Sequence, residues 1–288
     1  MAARAQVGFL RGFAGLVACL GFTASAIAAD THKEFKYTVG PNATVSIVNE
    51  YGGISLKPSS GHQVLISATS HSDKVEVDSS QNGNRIEART HFLQKASDQD
   101  GRIDYEVQVP ADANVLIRSV NGPLRAENLK SDLTVRGDTA SVDIRNIAGA
   151  HVHVQTVSGP VTLNNITDGH VEIVSVGGKV QLTSVTGSKV SVNTTSGDIA
   201  YDGDFNGGGD YSFSNHSGNI DITLPASSSV DLTARSVTGS VENDFPLQQK
   251  AHSAFASTPG RSFAGTSNSG SSSVELRTFN GKIRVKKR

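Results

Sequence analysis

The sequence predicts an all-β protein, a parallel β-solenoid (β-helix) with coils of about 19–21 residues, and three observations carry this. Small dipeptides recur at Asn121-Gly122, Ser158-Gly159, Gly177-Gly178, Ser196-Gly197, Ser217-Gly218, Thr238-Gly239 and Asn280-Gly281, with Ala140 in the glycine slot between the first two. Successive steps are 18, 19, 19, 19, 21 and 21 residues, followed by one of 42. Aligned on that glycine, apolar residues fall at seven and five positions before it (Val152 and Val154, Val171 and Ile173) and two and four after it (Val161 and Leu163, Val180 and Leu182). Of 32 such positions only Asn243 is plainly polar. The composition agrees: Val is frequent beside 29 Gly and abundant Ser, Thr and Asn, which suits short strands joined by turns.

Each unit thus has two strands of period 2 flanking a glycine turn. One coil cannot bury its own inward row, whereas coils stacked about 4.8 Å apart bury them all. Antiparallel hairpins would not impose one spacing on four separate apolar columns.

Along the chain, Arg4 and Arg11 precede an apolar run to Phe22 and a small-residue stretch ending Ala28-Ala29. This pattern predicts a secretory signal peptide over 1–29. Leu16-Val17-Ala18-Cys19 also has the form of a lipobox, so processing as a lipoprotein through Cys19 is the alternative. The apolar run continues past Cys19 and favours cleavage at the Ala-x-Ala site. Cleavage after Ala29 removes two arginines and the one cysteine, leaving a net charge of −3 and no means of forming a disulfide. The remaining chain, 30–288, reads as a single exported domain, periplasmic or at the cell surface, with no run apolar enough for a transmembrane helix. Residues 30–110 read as irregular N-terminal coils, with an earlier copy of the repeat around Gly52. Residues 111–246 are the regular coils, 247–273 a Ser- and Gly-rich flexible insertion, and 274–288 the closing strands. Asn128, Asn146 and Asn165, then Ser184, occupy one turn slot, where amides in register can bond along the stack.

The series Ser158-Gly159-Pro160-Val161, Ser196-Gly197-Asp198-Ile199 and Ser217-Gly218-Asn219-Ile220, with the segments Val45 to Leu56 and Val274 to Val285, resembles the DUF4097 family. The resemblance spans essentially the whole chain after the leader. It implies an extracytoplasmic bacterial β-solenoid, called an adhesin by analogy, and carries over no catalytic residue.

Charge balance, 26 basic against 27 acidic residues, argues against nucleic acid as a partner. Two weak metal candidates stand out. His151 and His153 fall in the same outward columns as His170 and Glu172, close enough for Zn²⁺ or Ni²⁺. Asp202, Asp204, Asn206 and Asp210 follow the opening of a Ca²⁺-binding loop, but its twelfth position is Phe213 instead of glutamate. No cofactor is expected otherwise. Polysaccharide-cleaving β-helices gather carboxylates on adjacent coils, whereas here the outward columns Asp143, Thr162, Gln181, Ala200 and Arg145, Asn164, Thr183, Asp202 are mixed. Lys282, Arg284, Lys286, Lys287 and Arg288 make a basic terminal strand, read as a solvated edge. The expected function is a non-enzymatic adhesin or envelope-interaction module binding a cell-envelope component, glycan or protein through many weak contacts. An envelope sensor or assembly partner, and a polysaccharide-active enzyme, are the alternatives.

Overall fold

The structure is a computed structural model that describes residues 30–205, 208–249 and 258–288. The expected leader 1–29, with Cys19, lies outside them, as does Asn206. All regular secondary structure among the described residues is strand. The predicted columns stack in register: Val115, Leu133, Val152, Val171, Val190 and Tyr211 are successive partners on one face. Leu124, Val142, Val161, Val180, Ile199 and Ile220 are successive partners on the other. The two rows face each other and are buried throughout, forming one continuous core. Asn243, the polar exception, lies on the outermost strand of its face, Ser240–Asn243, where its side chain bonds Phe245 and helps close the end.

The stack does not follow chain order at either end. Strand Ser272–Thr278 lies between Asp210–Asn215 and Val230–Ser236, and Lys282–Lys287 lies between Ile220–Leu224 and Ser240–Asn243. The C-terminal coil is therefore inserted inside the stack, correcting the expectation that its basic strand is a solvated edge. The outermost coil is instead protected by Ser262–Ser267, which pairs antiparallel with Val230–Ser236. That strand lies within the segment expected to be flexible: Ala264, Gly265 and Ser267 are buried, so it has a place to pack despite a composition poor in large apolar residues. At the other end, Thr44–Tyr51 and Ile54–Pro58 sit between the coil of Asn114–Asn121 and Pro123–Glu127 and an outer layer of Arg85–Phe92 and Ile103–Val109. Antiparallel strands Val75–Asn82, Gln63–Ser70 and Thr31–Thr38 complete that end. Covering exposed ladders in this way blunts edge-to-edge aggregation.

The corner glycines explain the repeat marker. A Cβ on Gly178 would lie 2.0 Å from the carbonyl oxygen of Gly159, and one on Gly197 would lie 2.1 Å from that of Gly178. Backbone packs directly on backbone here, so the requirement is close approach. Three residues before the marker, an inward Ser, Thr or Asn recurs, buried and bonded to the corner: the Gly178 N–H donates to Ser175 Oγ at 3.1 Å, and Thr194 Oγ1 donates to the Gly197 carbonyl at 2.9 Å. Ala140 is accommodated because its coil has Gly137 in the Ser/Thr slot, where even a Cβ would come within 3.3 Å of the Ala140 methyl.

The asparagine column is also as expected. Asn128, Asn146, Asn165 and Ser184 all have left-handed backbone, with φ of 61°, 55°, 55° and 52°. Asn146 Nδ2 donates to Asn128 Oδ1 at 3.2 Å, and Asn165 Nδ2 to Asn146 Oδ1 at 2.8 Å. Asparagine tolerates this conformation better than serine. Where the step lengthens to 21 residues, Phe205 enters the core, stacked on Tyr201 with ring centroids 4.6 Å apart and against Tyr211 at 4.6 Å.

Two stability predictions follow from this geometry. Gly178→Ala should cost about 3 kcal/mol in denaturant unfolding, because backbone must move. Gly149→Ala, at a left-handed turn with open space, should cost only about 1 kcal/mol. Equal losses would show that close approach does not select glycine at the corner. Ser184→Asn should raise stability by about 0.5 kcal/mol by relieving the left-handed serine and extending the ladder; a lower melting temperature would contradict this.

Candidate functional site

Because inward columns alternate with outward ones, the surface is also organised in columns. Seven large hydrophobic residues are exposed among the described residues, and six of them, Val48, Val120, Val157, Val176, Val237 and Phe279, lie along one edge of the stack. All but Val48 stand two residues before the corner glycine, with Glu50, Asp138, Thr195 and His216 filling the other places in that column. The imidazole of His216 and the ring of Phe279 stack face to face, with centroids 4.9 Å apart and planes 7° from parallel. An apolar strip of this kind on an otherwise polar surface marks an interaction site.

Beside this ridge runs the outward column Val48, Arg118, Arg136, Gln155, Val174, Asn193, Ser214, Arg277, Arg235. Ridge and column flank a shallow groove of about 570 Å³. Arg118 and Arg136 are direct partners on adjacent coils, as are Arg277 and Arg235. Arg277 pairs with Glu275 of its own strand, whereas among the described residues no acid lies within ion-pair distance of Arg118, Arg136 or Arg235. Like charges directly opposite one another destabilise a sheet.

Several charges elsewhere are paired. Asp143 is held by a two-pronged ion pair with Arg145, at 2.8 Å for both contacts. The basic terminal strand is largely neutralised: Arg284 pairs with Asp221, Lys282 with Glu242 at 2.5 Å, and Arg288 with Asp202 at 3.5 Å.

The histidine columns have the predicted register, His151 opposite His170 and His153 opposite Glu172. The rings of His151 and His170 pack edge to face at 5.3 Å, while His153 bonds Glu172 at 3.2 Å. The four donors form two separate pairs. In the acidic loop, Asp202 faces Arg288, Asp204 accepts a bond from Ser228 Oγ at 2.7 Å, and Asp210 is aligned with Lys189. Asp202 and Asp204 are thus engaged with different neighbours. The acidic and histidine donors that do converge among the described residues are Glu76, Asp78 and His91, within 4.8 Å of one another on the antiparallel hairpin. Lys33 and Arg89 already neutralise the two carboxylates, at 3.9 and 3.5 Å.

A second polar cluster went unseen in the sequence because its members are 74 residues apart at the extremes. His71 bridges Asp30 at 3.0 Å and Asp104 at 2.9 Å, and Asp104 also accepts from the Gly53 N–H at 2.7 Å and from Arg102. The bond to Asp104 raises the His71 pKa against the opposing effect of burial, with Asp30 adding to the rise. For Asp104, burial acts to raise the pKa and is outweighed by Arg102, the Gly53 N–H and His71.

The family model described as Toastrack DUF4097 matches residues 44–286. The chain belongs to this family. No curated protein matches it. Among solved structures, a "putative adhesin" from Bacteroides fragilis is 15% identical, with 88% of this chain and 97% of that one covered and a TM-score of 0.50. A "putative cell adhesion protein" from Clostridium sporogenes is 12% identical, with 90% and 100% covered and a TM-score of 0.29. The Bacteroides likeness extends to the fold alone. This Toastrack domain carries five of its seven exposed large hydrophobics, among the described residues, in one column of its repeat.

The His71 cluster sets a pH dependence. A raised histidine pKa contributes stability that is complete below the ordinary value near 6.5 and is lost as pH rises through the folded value. The lowered Asp104 pKa contributes stability above the ordinary carboxylate value, lost as pH falls through the folded one. Melting temperature should therefore decline from mildly acidic to alkaline pH, and His71→Gln should flatten that decline. A variant curve parallel to wild type throughout would exclude His71 as its source.

Proposed function

We propose that this Toastrack protein is an exported, non-enzymatic contact module, periplasmic or on the cell surface, that holds a cell-envelope component along its apolar ridge. The observation that carries this reading is the gathering of six of seven exposed large hydrophobics along one edge. The leader pattern of 1–29 supports export. The "putative adhesin" name of the Bacteroides structure agrees in kind. Mixed outward columns, in which Asp143 is tied to Arg145 and adjacent places hold Thr162 and Gln181, support a binding surface over a paired-carboxylate active site.

The test is binding of the purified protein to isolated envelope and cell-wall fractions. Val157→Asp with Val176→Asp should weaken saturable binding about 10-fold or more at unchanged melting temperature. Thr162→Asp with Gln181→Asp, on the other face, should leave it unchanged. Equal binding by all three proteins, or none by wild type, would overturn the proposal.

A further inference from the structure

We infer that the ridge and its arginine column bind a carboxylated polysaccharide, a chain of uronic-acid type lying along the stack axis. This rests on the contact-module reading and names its ligand class. The arginines are arranged as two pairs within one column. Arg118 and Arg136 are one coil step apart, about 4.8 Å, and so are Arg277 and Arg235. Between Arg136 and Arg277 lie five steps, through Gln155, Val174, Asn193 and Ser214, or about 24 Å. Three of the four guanidinium groups have no acidic partner among the described residues. A planar guanidinium fork matches a carboxylate in geometry as well as charge.

The ligand must therefore be long, must repeat its negative charge along its length and must have uncharged surface to cover the ridge. A glycan whose carboxylates repeat on one side at about the coil step of 4.8 Å places consecutive carboxylates on consecutive arginines. The hydrocarbon faces of its rings suit Val120, Val157 and Val176, and the exposed His216–Phe279 stack continues the ridge at the far end. Glu50 and Asp138 stand on the ridge itself. They favour the orientation in which carboxylates lie over the arginine column and ring faces over the valines. An extended acidic peptide fits less well, since its same-side residues repeat every two positions, about 6.8 Å, out of step with the coils.

The experiment is calorimetric titration of the purified protein with a uronic-acid octasaccharide, long enough to span the eight positions from Arg118 to Arg235, the corresponding disaccharide, the octasaccharide with its carboxylates reduced to alcohols, and a glutamate decapeptide. The octasaccharide should bind saturably, and the disaccharide about 10-fold or more weaker because it reaches one arginine pair only. The reduced octasaccharide should bind at least about 10-fold more weakly than the acidic one. Arg118→Ala with Arg136→Ala should weaken the octasaccharide about 10-fold or more, and Arg125→Ala, on the other face, should not. Melting temperatures at or above that of the unsubstituted protein establish that the variants are folded, and Arg118→Lys with Arg136→Lys serves in their place if the alanine pair is not. Equal binding of acidic and reduced sugars, or of sugar and peptide, would overturn the inference. So would no uronate binding while wall fractions still bind through the valines, an outcome that leaves the contact-module reading standing. Loss of both would remove that reading as well.

Discussion

The structure depends on one contact, the backbone of each corner lying directly on the carbonyl of the corner before it. With Gly159, Gly178 and Gly197 in successive coils, a side chain has nowhere to go between them. That contact sets the coil spacing, and the spacing determines which residues align in every other column. The inward Ser or Thr three residues earlier satisfies polar groups that the tight corner would leave without water. The pair of positions acts together, as Ala140 and Gly137 show: when the corner gains a methyl, the neighbouring slot gives up its side chain.

A fold built this way leaves its outward columns free of core duties, and their chemistry can be read for function. Some of them are self-compensating, as Asp143 with Arg145 or Arg284 with Asp221 illustrate. What sets the arginine column apart is that two like charges are placed directly opposite each other, Arg118 against Arg136, an arrangement unfavourable within a sheet that a carboxylated ligand would relieve.

How much of this was legible in the sequence follows from what periodicity can and cannot encode. Four apolar columns at one spacing specified coil, register and the asparagine slot, because each is a relation between a residue and its own turn. Stacking order is a relation between coils, and coils sharing one template do not reveal which pairs with which. The insertion of Ser272–Thr278 between two earlier coils was invisible for that reason. The ridge had a signal that was overlooked: Val120, Val157, Val176 and Val237 each stand two residues before the marker, in a slot that reads as ordinary turn. The metal candidates failed to converge for a different reason. Register brought His151 to His170 and His153 to Glu172, but alignment of backbones does not aim four side chains at one point. The His71 cluster joins residues from three separate strands or strand ends and leaves no periodic trace.

Valine at the ridge could be ascribed to folding, since a β-branched side chain favours extended backbone beside a turn. Thr195 answers this within the same column. It is β-branched, it stands in the coil between those of Val176 and His216, and its coil keeps the same corner contacts as its neighbours. Threonine therefore meets the conformational requirement while presenting a hydroxyl to water. Val120, Val157 and Val176 present methyl groups instead, each more than a third exposed, where the fold would accept the polar isostere. The apolar choice belongs to the surface, and it is made along the edge that also carries the unpaired arginines.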